Sequence, residues 1–330
     1  MWHGSMESYL FNKAEYYRLY RCDYMNQTEW EKYTLRRPIL GSVCLVIGVV
    51  NFVTNVLCLI VMKRDTYFKN SCFKLMFLLG IIDITALIGN SLFTGVFMIT
   101  GTSFCLQPDL QYILGTWFAG CLTCFILAFN RCLDFWFPRV ASALFEGRKT
   151  FLWYLLIMVY FLFAFFIART VLLNPKALMW IFDPYIFAPK NASFRADRTE
   201  YIGYLHIWNN YLLIPGMFIL YTGLVISVRL KSKGAKQQMK FQLKILTQAI
   251  SVCALVFIPG SLFIMLQFVG PPLSVIVATL IALEMGNGGG GLVILCLNKT
   301  IRDEVKAMLW KAPKKSGSLV TVVSNFRHTV

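Results

Sequence analysis

Apolar residues in this chain gather into seven runs of about 20 to 26, each long enough to cross a hydrocarbon layer as a helix. The runs are centred near Asn51, Ala86, Leu122, Tyr160, Tyr221, Leu255 and Glu284, with short polar stretches between them. An odd number of crossings puts the two termini on opposite sides of the membrane. The longest polar segments are residues 1–37, 174–203 and the end of the chain, each too short for a soluble domain. The pattern predicts an all-α membrane protein, a seven-transmembrane helix bundle over residues 38–297. Residues 1–37 form a tail before it and hold no apolar stretch of the signal-peptide kind, so the first span is expected to serve as its own insertion signal.

The segment after the seventh run has a different period. Ile301, Val305, Met308 and Leu309 repeat at helical spacing, with Arg302 and Lys306 on the polar side. This predicts a short amphipathic helix over 298–311 lying on the inner leaflet, stopped near Pro313. Residues 312–330 are rich in Ser and Lys and are expected to be a disordered tail.

With 57% hydrophobic and 15% charged residues, a soluble fold is excluded, and the lipid bilayer is the first partner. A net charge of +16 would point to nucleic acid in a soluble protein; here its distribution sets topology instead. With the N-terminus extracellular, the inner loops hold Lys63, Arg64, Lys69 and Lys74, then Arg131, Arg139, Arg148 and Lys149. The third inner loop adds Arg229, Lys231, Lys233, Lys236, Lys240 and Lys244, and the C-terminal segment is equally basic. The outer loops hold only Lys176, Lys190, Arg195 and Arg198. Lys32, Arg36 and Arg37 before the first span oppose this locally, and the later loops outvote them. The expected topology is N-terminus extracellular, C-terminus cytoplasmic.

That topology sorts the cysteines and sequons. Of ten cysteines only Cys22 and Cys105 face the oxidising side, which implies one bridge from the tail to the top of span three. The sequons at Asn26 and Asn191 fall outside, as expected glycosylation sites; the one at Asn298 falls inside and should stay unmodified.

Several polar groups lie within the apolar runs. Asp83 and Glu284 are near mid-span, and a charge there costs at least about 2.5–3.5 kcal/mol, so such residues face the bundle interior and find partners. Asn55 and Asn90 are neutral candidates for that role. Asn55 and Asp83 read either as interhelical glue or as a hydrated core that rearranges on activation. Glu284 reads either as a ligand-pocket residue or as a protonated structural acid. Arg169, at the outer end of span four, either snorkels to the headgroups or anchors an anionic ligand. Pro215 and Pro259 interrupt spans five and six. Gly286 and Gly288 to Gly291 make a near-continuous glycine run in span seven, which close packing must compensate. At the inner end of span three, Leu127-Ala-Phe-Asn130-Arg131 brings a long cation to the membrane boundary.

Seven spans, an arginine ending span three, an inner amphipathic helix, and Asn55 and Asp83 placed 28 residues apart together resemble the rhodopsin-like receptor plan. Asn130-Arg131-Cys132 departs from that plan's Asp-Arg-Tyr, and Gly291-Leu-Val-Ile-Leu295 from its Asn-Pro-x-x-Tyr. With those departures the chain resembles the nematode serpentine receptor class t chemoreceptors. Phe68-Lys-Asn-Ser-Cys-Phe-Lys-Leu-Met-Phe-Leu-Leu-Gly-Ile-Ile-Asp83, Gly101-Thr-Ser-Phe-Cys105 with Pro108, Leu144-Phe-Glu-Gly-Arg148 and Leu297-Asn-Lys-Thr-Ile-Arg302 carry the likeness. The resemblance implies a G-protein-coupled chemosensory receptor in the plasma membrane, often that of a sensory cilium. It implies an extracellular small molecule or peptide as ligand, and a heterotrimeric G protein engaged by Arg131 with Asn130 and the basic third loop at Lys231, Lys233 and Lys236. A multi-span transporter or channel is the alternative. An enzyme is not expected: His3, His206 and His328 form no metal-ligand cluster, and neither Gly-x-Ser-x-Gly nor His-Glu-x-x-His occurs. No cofactor or metal is called for.

Overall fold

The computed structural model describes residues 5–112, 117–188, 196–231, 236–265 and 272–310. Six helices are each long and apolar enough to cross a membrane: Pro38–Met62, Ser71–Thr100, Trp117–Trp136, Thr150–Ile167, Tyr204–Lys231 and Lys236–Met265. The seventh span is a pair, Leu273–Gly286 and Gly290–Leu297, bent by 71°. Helices are forced here because lipid offers backbone N–H and C=O groups no partner, so each span must bond within itself. The chain is a seven-transmembrane all-α bundle, as the periodicity predicts.

Burial orders the spans. Span three is 67% buried and span four only 17%, so span three forms the axis and span four lies at the rim. Leu152, Leu155, Leu156, Val159 and Phe163 of span four are exposed apolar residues that would face lipid. The main core runs along span three from Cys121 to Leu133, against Leu75 and Leu79 of span two, Met217 and Leu224 of span five, and Val252 and Val256 of span six. Spans one and two pack most closely. A Cβ built on Gly41 would lie 2.5 Å from Gly95 O, and one on Gly95 would lie 2.8 Å from Gly41 O, so only glycine lets these backbones meet. Span two is α-helical except at Ile88–Phe93, a π-helical turn.

The break in span seven falls in the glycine run. Two carbonyls of this stretch meet side chains on span one: Asn55 Nδ2 donates to Gly288 O at 2.6 Å and Cys58 Sγ to Gly291 O at 3.4 Å. A Cβ on Gly291 would come within 2.6 Å of Asn55 N, so the second half of the span lies directly on the backbone of span one. The propensity lost to glycine is offset by this close approach and by satisfied carbonyls.

Residues before the bundle do not form an unstructured tail. Ser5–Phe11, Lys13–Tyr20 and Gln27–Glu31 are helices, the last started by a capping box between Asn26 and Glu29. They join the second interhelical loop at this end in a cap with its own aromatic core, containing Tyr16, Leu19, Tyr20, Trp30, Phe104, Tyr185 and Tyr201. Three polar groups of the cap core bond to backbone carbonyls: Tyr201 OH donates to Leu19 O at 2.7 Å, Tyr185 OH to Arg21 O at 2.7 Å, and Trp30 Nε1 to Cys22 O at 2.9 Å. Cys22 and Cys105 are disulfide-bonded, as the cysteine positions predict.

The same loop forms a hairpin, β1 (Leu172–Asn174) paired antiparallel with β2 (Met179–Ile181). Leu173, Leu178 and Trp180 pack on Cys44, Phe97, Met98 and Leu280, so the hairpin plugs the cap end between spans one, two and seven. Leu178 sits at φ 58°, a left-handed conformation costly for a branched side chain and held by its burial. Gln111 anchors the hairpin, accepting from Leu173 N and donating to Thr102 O, both at 3.1 Å.

Candidate functional site

At the end opposite the cap, Arg131 does not reach outward. It is 8% exposed, in the last turns of span three. Its Nη2 donates to Asn130 Oδ1 at 3.0 Å and pairs with Asp134 Oδ2 at 2.7 Å, one helical turn on. Asn130, fully buried, also donates from Nδ2 to Ser71 Oγ on span two at 3.2 Å. The acid that the rhodopsin-like plan places before this arginine is supplied here three residues after it. Sequence reading missed Asp134, although its i,i+3 spacing was the available signal. Arg131 Nε remains buried without a partner among the described residues.

Three contacts lock the surrounding loops. Lys74 Nζ donates to Gly147 O and Tyr154 OH donates to Lys74 O, fixing the turn between spans three and four. Arg64 pairs with Glu304, tying the loop after span one to the final helix. That helix, Lys299–Trp310, buries Ile301 and Val305 as its periodicity predicts. Asn298 caps it through Oδ1 to Ile301 N at 3.1 Å and donates from Nδ2 to Gln248 Oε1 of span six at 2.9 Å. Lys231 ends span five and Lys236 begins span six. Their side chains, and Lys233 altogether, lie outside the described residues.

Of the intramembrane polar residues named from sequence, Asn55, Asp83 and Glu284 do not form one cluster. Asn55 and Asp83 face the broken stretch of span seven: Asn55 bonds Gly288 O, and a Cβ on Gly290 would lie 2.8 Å from Asp83 Oδ2. Glu284 lies apart, before the break and nearer the hairpin. It is fully buried, and neither carboxylate oxygen has a hydrogen-bond partner among the described residues. Ser91, in the π-helical turn of span two, puts its own unpartnered Oγ beside that carboxyl. One turn further, Thr94 Oγ1 accepts from Trp180 Nε1 of the hairpin at 3.1 Å.

A second polar group at the cap end was not singled out from sequence. His206 of span five, 8% exposed, is ringed by Trp117, Phe118, Phe182 and Phe263, with centroids 5.4–6.3 Å away. Trp117 Nε1 donates to Asn210 Oδ1 at 2.9 Å, and Tyr160 OH to Asn209 Oδ1 at 2.8 Å. Asn210 Nδ2 is buried without a partner among the described residues. The signal was the run His206-Ile-Trp-Asn-Asn210, unusually polar for the start of a membrane span. The cap itself has a cleft of about 810 Å³, lined by Tyr16, Tyr17, Arg18, Arg21, Asp23 and Asp109 among others. Arg18 is bonded there to Glu15 and Glu200, which holds the Glu200 carboxyl below its usual range. Arg169 follows span four, half-buried, with Nη1 buried and unpartnered among the described residues.

Asn26 is exposed and caps a cap helix through Oδ1, which accepts from Glu29 N at 2.9 Å. Asn191 lies outside the described residues. Of the eight free cysteines, seven are buried and Cys296 is exposed.

Residues 5–317 match the model of the family described as serpentine-type 7TM GPCR chemoreceptor Srt. The chain is also 25% identical over 265 residues to serpentine receptor class T-55 of Caenorhabditis elegans, covering 78% of this chain and 70% of that one. The family match takes in nearly the whole described bundle together with its cap, and the chain belongs to the Srt serpentine chemoreceptors.

Proposed function

We propose that this chain is a ligand-activated chemosensory receptor of the plasma membrane, coupled to a heterotrimeric G protein and without catalytic activity of its own. In this reading the cap is extracellular, carrying glycans on Asn26 and Asn191, and the final helix lies in the cytoplasm. A sensory-neuron cilium is the expected setting. The ligand is an extracellular small molecule or peptide that enters from the cap end, where Glu284, Ser91 and Asn210 are buried with unmet hydrogen bonds. The G protein docks at the other end on Asn130, Arg131, Lys231, Lys233 and Lys236.

One observation carries the reading: Arg131 is desolvated and held by Asp134, whose side chain is 38% exposed at the rim of the bundle. In this reading Arg131 moves between the paired inward position seen here and an outward one. A ligand that binds more tightly to the out state shifts the population toward it. The test is G-protein activation across a ligand panel in cells expressing the chain. Arg131→Ala should abolish the signal with surface expression intact; an unchanged response would remove Arg131 from the mechanism.

The 71° break in span seven favours one competing reading, a transporter, because broken helices with unwound carbonyls often coordinate cargo. Here those carbonyls are occupied by Asn55 and Cys58. Solute flux in proteoliposomes without any G protein would support that alternative.

A further inference from the structure

Glu284 and Ser91 pose a chemical problem that the bundle itself leaves unsolved. Both are fully buried, and three of their oxygens, Oε1, Oε2 and Oγ, have no hydrogen-bond partner among the described residues. An ionised carboxyl is an acceptor only and needs donors; burying it bare costs more than burying any neutral polar group. The indole N–H of Trp180 is the nearest donor in the hairpin, and it is already spent on Thr94. The Ser91 O–H beside the carboxyl can donate to one of its oxygens, which leaves the other oxygen and the Ser91 lone pairs without a donor.

The backbone is shaped to bring these atoms together. Ser91 lies inside the π-helical turn Ile88–Phe93, an extra residue in the helix that re-aims the side chains around it, and such turns recur at functional sites. The surroundings are apolar: Cys44 of span one, Leu280 one turn from Glu284, and Trp180 of the hairpin above. The site is thus a triad of acceptors set in an oily wall under a plug.

The geometry points to a recognition site for a primary ammonium group, whose three N–H donors match the three acceptors Glu284 Oε1, Glu284 Oε2 and Ser91 Oγ. This rests on the receptor reading for its consequence but not for its chemistry. Charge-assisted hydrogen bonds away from water are the strong ones, so a cation here gains more than it would at the surface. A neutral alcohol of equal length supplies one donor and no charge.

The test uses the full-length receptor, purified in detergent at neutral pH, with thermal unfolding as readout and n-butylamine, n-butanol and sodium chloride as probes. n-Butylamine should raise the midpoint by about 3 °C or more at saturation, and n-butanol should not. Ser91→Ala should weaken the apparent affinity about tenfold, the loss of one hydrogen bond to a charged group. Glu284→Gln should abolish the shift, and its own unliganded midpoint establishes that it folds. No shift with n-butylamine, an equal shift with n-butanol or with sodium chloride, or a shift that survives Glu284→Gln overturns the assignment. G-protein activation is read separately. Amine binding without nucleotide exchange would fault the receptor reading and leave the site standing; exchange driven by other ligands with no amine binding would do the reverse.

Discussion

Adding one methyl group at each of two glycines should move the bundle's stability in opposite directions. At Gly291 a Cβ would come to 2.6 Å from Asn55 N, 2.8 Å from Asn55 Cα and 2.8 Å from Thr54 C, all backbone atoms of span one. None of these can rotate away, so Gly291→Ala must push the second half of span seven off span one by about 1 Å to reach ordinary contact, at an overpacking cost of roughly 1–3 kcal/mol. The better helix propensity of alanine returns up to about 1 kcal/mol, leaving a net loss of up to about 2 kcal/mol. At Gly120, on span three, a Cβ would meet nothing within 4 Å. Gly120→Ala should keep the propensity gain of up to about 1 kcal/mol with no penalty. A thiol-reactive fluorogenic dye followed on heating suits the assay, because seven of the eight free cysteines are buried and react only on unfolding. Gly291→Ala should lower the midpoint by roughly 2–5 °C, and Gly120→Ala should leave it equal or higher. A Gly291→Ala protein as stable as the parent would refute the close approach of spans one and seven.

Three further outcomes follow from the contacts. Asp134→Asn removes the carboxylate that holds Arg131, and a loss of about 1 kcal/mol at this partly exposed pair should raise basal nucleotide exchange on the G protein about fivefold; lower basal exchange would oppose that role. Replacing Cys22 and Cys105 together by Ser opens a loop of 83 residues and should cost the cap about 2–4 kcal/mol, seen as a red-shifted tryptophan emission as Trp30 meets water. Arg18 holds Glu200 below the usual carboxylate range, so this tie is present at neutral pH and is lost only as pH falls through that lowered value. With both side chains a third to a half exposed the effect is at most about 1 kcal/mol, and Glu200→Gln should remove it from the acid limb of a cap-unfolding curve.

Span number, the final helix and the Cys22–Cys105 bridge were legible in the sequence because each follows from one strong rule: apolar length, helical period, or which cysteines meet an oxidising side. The cap was not. Its core draws on Tyr16, Trp30, Tyr185 and Tyr201, far apart in sequence and embedded in polar segments, so no local period marks it. The hairpin was hidden for a related reason: Leu172–Asn174 and Met179–Ile181 are too short to show alternation. Within the bundle, the glycine run announced that span seven is unusual, but only the placement of Asn55 and Cys58 shows how a break is tolerated. The separation of Glu284 from Asn55 and Asp83 depends on the π-helical turn and the break, two departures from 3.6-residue geometry that linear spacing cannot reveal. Asp134 was within reach, since one turn separates it from Arg131; attention to the residue before the arginine obscured the one after.

The cap also fixes an order of events during synthesis. Cys22 leaves the ribosome 83 residues before Cys105, which at roughly 5–20 residues per second is a wait of about 4–17 s as a free thiol. Closing the bridge requires that the first two spans already be threaded, and Tyr185 and Tyr201 arrive only after the fourth. A completed cap is therefore a record that the bundle beneath it was inserted in register. A chain with a missed or inverted span would leave Cys22 unpaired and Trp30 uncovered. The helices that precede the bundle find their place only after four spans have followed them, and so certify those spans.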